Sequence, residues 1–223
     1  ASPVKVDVIT TKFLKKVATS NLMEVIENVN GVQKQVNCGV CGTNDIHING
    51  MEGPYTLVLI DGLPIVSSLA TVYGLNGIPT SLIKQIEIIK GPSSTLYGTE
   101  AVAGVINIIT KKAEDVSKYE IDTYFTSDLE QNIDFAFAPK ENKFNMLLSG
   151  NYYNLSHFQD DNNDTFSDIP LSQRISLFNK WSFKRKSQKR LSLSAKAYRE
   201  DRSGGTKNWF EEKVRGDSIE YGE

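Results

Sequence analysis

The apolar pattern of this 223-residue chain changes period once, near Lys111-Lys112, and that change limits the folds open to it. Ahead of it, apolar residues come in short unbroken runs: Leu57-Val58-Leu59-Ile60, Ile86 with Ile88-Ile89, and Val105-Ile106 with Ile108-Ile109. Gly and Pro separate the runs at Gly53-Pro54, Gly62, Pro64, Gly91-Pro92 and Gly104. Runs of this kind between breakers predict strands buried on both faces. Asn21 to Asn28 reads as a helix with Leu22, Val25, Ile26 and Val29 on one face, and Pro79 to Gln85 as a second short helix. The first half is therefore expected to be a small, glycine-rich α+β domain.

Beyond Lys111 the pattern becomes alternation. Tyr119, Ile121, Thr123 and Phe125 alternate with Glu120, Asp122 and Tyr124, and the same dyad carries Ile133, Phe135 and Phe137. It returns in Ile175, Leu177, Trp181 and Phe183, then in Leu191, Leu193, Ala195 and Ala197. Five strands are expected, at 119–126, 131–138, 143–154, 173–183 and 190–199. Segments of about ten residues with this dyad suit an outer-membrane barrel wall. They suit a soluble antiparallel sheet with one wet face equally well.

Connection lengths favour the barrel. The links Pro139 to Asn142 and Lys184 to Lys189 are short and polar. The link from His157 through Pro170 is long and acidic, and the segment after the fifth strand is long and charged. Short turns at one end and long loops at the other are what such a wall shows, with the short Ser127-Asp128 link as the exception. No stretch approaches the roughly 18 consecutive apolar residues of a membrane helix. A net charge of -2 supplies no general field for nucleic acid, so no nucleic-acid partner is expected. The N-terminal Ala1-Ser2-Pro3-Val4 has no signal-peptide pattern, so an exported protein would already have shed its signal.

Ordered blocks in the first half then become recognisable. Leu57 to Gly62 (Leu-Val-Leu-Ile-Asp-Gly), Leu22 to Val32, Ile46 to Met51, Ile86 to Gly98 and Ala101 to Thr110 together resemble the plug domain of TonB-dependent outer-membrane receptors, over roughly residues 3 to 112. Asn30 stands where the family usually has Pro, and Ile46-His47-Ile48-Asn49-Gly50 lacks the usual Arg. The resemblance implies an α+β plug domain, residues 1–112, followed by antiparallel strands, residues 113–223, of an incomplete 22-stranded transmembrane β-barrel. It implies an energy-coupling box ahead of the plug and about seventeen further strands, so the chain is expected to be a fragment or one piece of a cleaved receptor.

For function, the resemblance implies import across a Gram-negative outer membrane, with the plug in the barrel lumen as gate. The ligand expected is an iron chelate, haem or cobalamin. The partners implied are the TonB-ExbB-ExbD energy transducer, outer-membrane lipid, a small-molecule or metal-chelate ligand and a surface lipoprotein cap. No enzyme activity, cofactor, catalytic residue or metal ligand is expected. Two plug apices are candidate ligand contacts. The first carries Asn37, Val40 and Thr43, and the second, from Ile65 to Ile78, carries Ser67, Ser68, Thr71, Tyr73 and Asn76. Their neutral donors suit a neutral or organically wrapped ligand better than a bare ion; the alternative is that Tyr73 and Leu75 pack on the plug core.

In the family, residues matching Glu87 and Lys90 pair with barrel-wall charges and latch the plug. Lys90 replaces an Arg there, keeping a point charge and losing bidentate pairing. Asp61-Gly62 reads as a tight turn whose carboxylate caps nearby N–H groups. Cys38 and Cys41 are expected to form a local disulfide in an oxidising compartment. A periplasmic thiol-redox centre using the same pair is the rival, as is a soluble plug-like ligand-binding module; a structural zinc would need ligands beyond His47 and His157. His47 as a haem or metal ligand, and His157 as a ligand contact in the outer loop, are the remaining options.

Overall fold

The computed structural model describes residues 5–17, 19–38, 43–65, 75, 77–139, 141, 144–183 and 191–212. Its first part is a mixed five-stranded sheet in the order β1-β6-β7-β4-β5, made of β1 (Lys5–Thr10), β4 (Thr56–Ile60), β5 (Leu63–Pro64), β6 (Ile83–Lys90) and β7 (Gly104–Thr110). Only the β4–β7 pairing is parallel; the others are antiparallel. A separate hairpin pairs β2 (Val32–Cys38) with β3 (Thr43–Ile48). Helix α1 (Thr11–Leu14) follows β1, and α2 (Leu22–Ile26) is capped by Asn21, whose side chain accepts from the Met23 N–H at 3.0 Å. A single turn, α3 (Ser94–Tyr97), lies between β6 and β7.

The unbroken runs behave as their composition requires. On β4, Thr56 to Leu59 are all buried, and on β7 the buried positions include Val105, Ile106 and Ile108. Leu22, Met23, Val25 and Ile26 of α2 are buried in one cluster with Ile48, Val58, Ile86, Ile88, Ile106 and Ile108. Burial of a Leu or Ile side chain contributes about 1.5–3 kcal/mol, which orders so small a globule. One expectation is corrected. Pro79 to Gln85 is not a helix: a 3₁₀ turn over Thr80–Leu82 leads straight into β6. Ile83, Ile86 and Ile88 are the buried positions of β6, which is paired on both edges, so strand pairing overrides the short helical signal. The second face of β6 is the less buried one: Ile89 packs, half-buried, against Leu57, Leu59 and Val105, and Glu87 is half-buried beside it.

The second part is an antiparallel meander of β8 (Tyr119–Phe125), β9 (Gln131–Phe137), β10 (Phe144–Leu155), β11 (Leu171–Phe183) and β12 (Leu191–Ser203), ending in α4 (Lys207–Glu212). Its order, β12-β11-β10-β9-β8, is sequential and open, since β8 and β12 do not pair with each other. The expected strands are there, shifted by a residue or two at most ends and by four at the end of the last.

The faces of this meander are inverted relative to a water-soluble sheet. The buried side carries Asn132, Asp134, Asn145, Ser149, Asn151, Arg174 and Ser176. The opposite side exposes Tyr119, Ile121, Phe125, Ile133, Phe135, Ile175, Leu177, Leu191 and Leu193. A contiguous apolar face of this extent marks a surface made for lipid or another apolar phase. Gly150, on that face, lies under the Phe135 ring, where a Cβ would come within 2.2 Å of Cε1. Among the described residues no helix is long and apolar enough to cross a membrane.

Candidate ligand cleft and globule-to-wall contacts

The globule meets the buried polar side of the meander through side chains that neither half could satisfy alone. The centre of this contact is the Asp61-Gly62 turn between β4 and β5. Asp61 and Gly62 take φ of 51° and 82°, the two-residue hairpin geometry in which both central residues are left-handed. That conformation turns the Asp61 carboxylate back across β7. Its Oδ1 accepts from the Thr110 N–H at 2.9 Å, and its Oδ2 accepts from the Thr110 hydroxyl at 2.7 Å. The same Oδ2 accepts from Lys180 Nζ of β11 at 2.7 Å, and Lys180 also donates to Thr110 Oγ1 at 2.8 Å. The turn expected at Asp61 is thus present, and it also reaches the wall.

Three further contacts spread along the interface. Arg174 of β11, only 4 % exposed, donates from Nη2 to the Ser20 carbonyl at 3.4 Å and from Nε to Asn151 Oδ1 at 3.4 Å, with its guanidinium 4.7 Å from the Tyr153 ring centre. Asn151 in turn donates to Asn132 at 2.7 Å and Asp134 at 2.6 Å, so these buried wall side chains partner one another. Lys111 pairs with Glu120 at 3.3 Å. One apolar cluster, Leu82 with Ala113, Val116, Ala138, Leu147 and Phe178, seals the lower edge.

Lys84 donates to Asp115, in the connection between the two parts, at 2.8 Å. Burial pushes the Asp115 carboxyl up, but the Lys84 hydrogen bond and the Lys112 N–H outweigh it and hold it below the usual range. A depressed carboxyl stabilises the folded state above its unfolded pKa, near 3.9, and that contribution is lost as pH falls through the folded value. Asp115→Asn is therefore expected to lower stability at pH 7 by under about 1 kcal/mol, the pair being partly exposed, and to flatten the acid limb so that the urea midpoints of the two proteins converge below about pH 4.

Between the upper wall and the globule lies a cleft of about 300 Å³. Lys34, Val36 and Asn44 of the β2–β3 hairpin line one side, and Tyr153, Arg174, Glu200 and Arg202 the other. The 156–170 loop contributes Gln159, Asp168, Ile169 and Pro170 at its mouth. Cations and carboxylates are mixed, so the cleft offers hydrogen bonds and a ring face and no single-sign field.

The predicted site residues fall unevenly around it. Asn37 and Cys38 end β2 and Thr43 begins β3, one residue from the lining Val36 and Asn44. Val40, Cys41, Ser67, Ser68, Thr71, Tyr73 and Asn76 lie outside the described residues. Leu75 and Ile78, beside the second apex, are fully or almost fully buried in the globule core. Cys38 ends β2 and is not a free thiol. Glu87 and Lys90 find partners inside the globule. Glu87 accepts from Gln85 at 2.7 Å and Asn107 at 3.0 Å, while Lys90 pairs with Asp7 at 2.6 Å and also donates to the Asn30 carbonyl. The wall contacts described fall instead to Asp61, Thr110, Lys111 and Ser20. Nothing local in the sequence marks Lys180 as the partner of Asp61 and Thr110, or Arg174 as that of Ser20, apart from their being charged residues at inward positions of an alternating strand. Among the described residues no cluster of three His, Cys, Asp or Glu side chains could hold a metal ion.

Residues 1–105 match the family model described as TonB-dependent Receptor Plug Domain. Over 129 residues, 58% of the chain, it is 30% identical to a vitamin B12 transporter, BtuB, of Vibrio vulnificus, and spans 21% of that protein. The chain also superposes on the siderophore receptor PirA of Acinetobacter baumannii, with a TM-score of 0.68 and 24% identity, covering 90% of this chain and 31% of that one. The ferric enterobactin receptor PfeA of Pseudomonas aeruginosa, solved as a mutant in complex with enterobactin, gives a TM-score of 0.67 and 24% identity, covering 90% and 33%. The chain thus spans about a fifth to a third of the relatives it matches, which are transporters and receptors by name.

Proposed function

Because this chain is, over residues 1–105, a TonB-dependent receptor plug domain, we propose that it serves as the gate and first wall segment of an outer-membrane importer. Residues 1–112 are the plug and 113–223 the beginning of the barrel wall. The ligand class is an iron chelate, haem or cobalamin, taken from outside into the cleft beneath the 156–170 loop. Neighbouring contacts come from the hairpin apex around Asn37, Val40 and Thr43, stiffened by a Cys38–Cys41 bridge, and from Ser67, Ser68, Thr71, Tyr73 and Asn76. The TonB-ExbB-ExbD transducer supplies the pull that rearranges the plug.

The single observation that carries this proposal is the inverted meander. A wall that hides Arg174, Asp134 and Asn151 against the globule while presenting Ile121, Leu177 and Leu193 outward suits a place between lipid and a wet lumen. The cleft's position at the mouth of that lumen, under a long loop, supports capture of a ligand from outside.

The test is uptake by cells whose sole importer is the receptor carrying this chain. Ferric enterobactin, haem and cyanocobalamin are supplied in labelled form, with and without an active transducer. Accumulation of one of them in energised cells, lost without the transducer while surface binding persists, is expected. A receptor present in the outer membrane that accumulates none of the three, or accumulates one without the transducer, overturns the proposal.

A further inference from the structure

A loop as long as 156–170 needs something to order it, and here its acidic side chains do so by bonding its own backbone. The Asp160 carboxylate accepts from the N–H groups of Asp164 and Thr165, each at 3.0 Å, and Asn162 accepts from the Asp164 N–H at 2.9 Å. Asp164 accepts from the Phe166 N–H at 2.7 Å, and Asp168 from the Asp161 N–H at 2.7 Å. The acidity of the loop thus serves its shape.

The loop is then joined to the segment after β12. Phe166 and Thr206 form an antiparallel bridge, flanked by hydrogen bonds from the Ser167 N–H to the Gly205 carbonyl at 2.9 Å and from the Lys207 N–H to the Thr165 carbonyl at 2.8 Å. The Gly205 N–H donates back to Ser167 Oγ at 3.1 Å, and Ser167, Gly204 and Gly205 are all buried. Beside them the Phe158 ring meets Phe210 of α4 edge-on at 5.5 Å, and Phe210 meets Trp209 at 4.8 Å. Both sides of the bridge run straight into the cleft. Asp168, Ile169 and Pro170, which follow Ser167, line its mouth, and the Asp168 N–H donates at 3.0 Å to the carbonyl of Gln159, which lines it too. Arg202, just ahead of Gly204, also lines the cleft and is held by Glu200 at 2.9 Å.

We infer that the 204–210 segment is the scaffold for the ligand-facing edge of the outer loop, with Ser167, Gly205 and Phe210 as its positioning residues. Gln159, Asp168, Ile169 and Pro170 then form a fixed rim, already in its binding shape before ligand arrives, and not a lid that closes afterwards. This rests on the import function proposed above. A rim that is ordered only part of the time binds with an affinity reduced by that fraction, so unfastening it weakens capture. The plug's bonds to Lys180 lie elsewhere, so transport of ligand already captured is left as it was.

Three measurements on the whole receptor test this. Hydrogen exchange without ligand is expected to find the amides of Phe166, Ser167, Gly205 and Lys207 slowed about a hundredfold or more relative to an unfolded chain. Gly205→Pro removes the donor to Ser167 Oγ and forces φ from 154° to about −65°, which undoes the bridge. Surface binding of labelled ferric enterobactin, haem or cyanocobalamin, whichever the receptor takes up, is expected to weaken about tenfold, with the uptake rate at saturating ligand kept within about twofold. Phe166→Cys with Thr206→Cys closes a disulfide across the bridge, where partners of this kind lie about 4.5 Å apart at Cα. Its oxidised and reduced forms are expected to bind and take up ligand within about twofold of each other. Reductant alone is checked on the unsubstituted receptor, since Cys38 is not a free thiol. Unprotected amides in the bridge, unchanged affinity in Gly205→Pro, or loss of binding or uptake on oxidation overturns the inference. Absence of uptake by the unsubstituted receptor instead removes the import function, and the exchange pattern then decides by itself whether the rim is fixed.

Discussion

Replacing Leu177 with arginine is expected to cost the receptor about 2–4 kcal/mol of folding free energy in a phospholipid bilayer. Leu177 is the middle residue of β11, which spans Leu171–Phe183, and its side chain is 45% exposed on the apolar face. At that depth an arginine has no water within easy reach and must snorkel or thin the bilayer. Leu171→Arg, at the end of the same strand, is expected to cost only about 0–1 kcal/mol. Urea titration of the receptor folded into vesicles reads both. Were this face wetted, both substitutions would fall within about 0.5 kcal/mol of zero, as exposed changes do in water. A flat profile along β11 would remove the membrane wall and everything built on it.

Asp61→Ala is expected to be the most damaging single change at the plug-to-wall contact, at about 3 kcal/mol. Truncation strands Lys180, whose side chain is 14% exposed, and removes the acceptor for the N–H and hydroxyl of Thr110, itself 1% exposed. Breaking a buried pair costs about 3–5 kcal/mol and an orphaned buried donor about 1–3 kcal/mol. Asp61 keeps 28% of its side chain in solvent, so the total should sit at the low end. Adding Lys180→Met should restore about 1 kcal/mol or more, since the stranded charge is then gone. Hydrogen exchange at the Thr110 amide reads the local loss and urea titration the global one. Additive effects of the two substitutions would show that the bond seen at 2.7 Å does little to hold the plug.

How much of this was legible in the sequence depended on the range of each interaction. Alternation is a local property of the backbone, and the wall strands from Tyr119 to Ser203 could be read from it because each strand needs only its own period. Their orientation could not. The same dyad fits a wet sheet, and only burial of Asp134 and Arg174 with exposure of Ile121 and Leu177 decides for lipid. The helix expected from Pro79 to Gln85 failed because Thr80-Ser81-Leu82 spends its turn entering β6, whose neighbours β1 and β7 set its conformation. β1 was passed over although Val6 and Val8 alternate with Asp7, since its one partner strand begins 73 residues after Thr10, at Ile83.

The plug-to-wall site was the least legible. Asp61 reads locally as a turn residue, and it is one. Its second role depends on a lysine 119 residues further on, brought near by two folded units. Glu87 and Lys90 stood out as charges in an apolar strand, and their partners prove to be Gln85, Asn107 and Asp7, residues of the plug sheet itself. The neighbouring Asn44 and Val36 line the cleft where Asn37 and Thr43 were expected, a displacement set by the pairing register across the hairpin tip.

The strand order of the plug sheet also dictates a timetable. A polypeptide delivered from its N-terminus carries β1 well ahead of β6, yet β1 settles against Gln85–Lys90, and β4, beyond its two-residue pairing with β5, against Gly104–Ile108. Contacts this distant in sequence close slowly, because the intervening loop must be ordered before they are rewarded. Through that wait the Val6–Ile9 edge and the Leu57–Ile60 strand stand bare, sticky enough to pair with any other nascent strand. Assembly of this protein must therefore run from its middle toward its beginning, and whatever escorts the chain has to keep its first sixty residues apart until its hundredth has arrived.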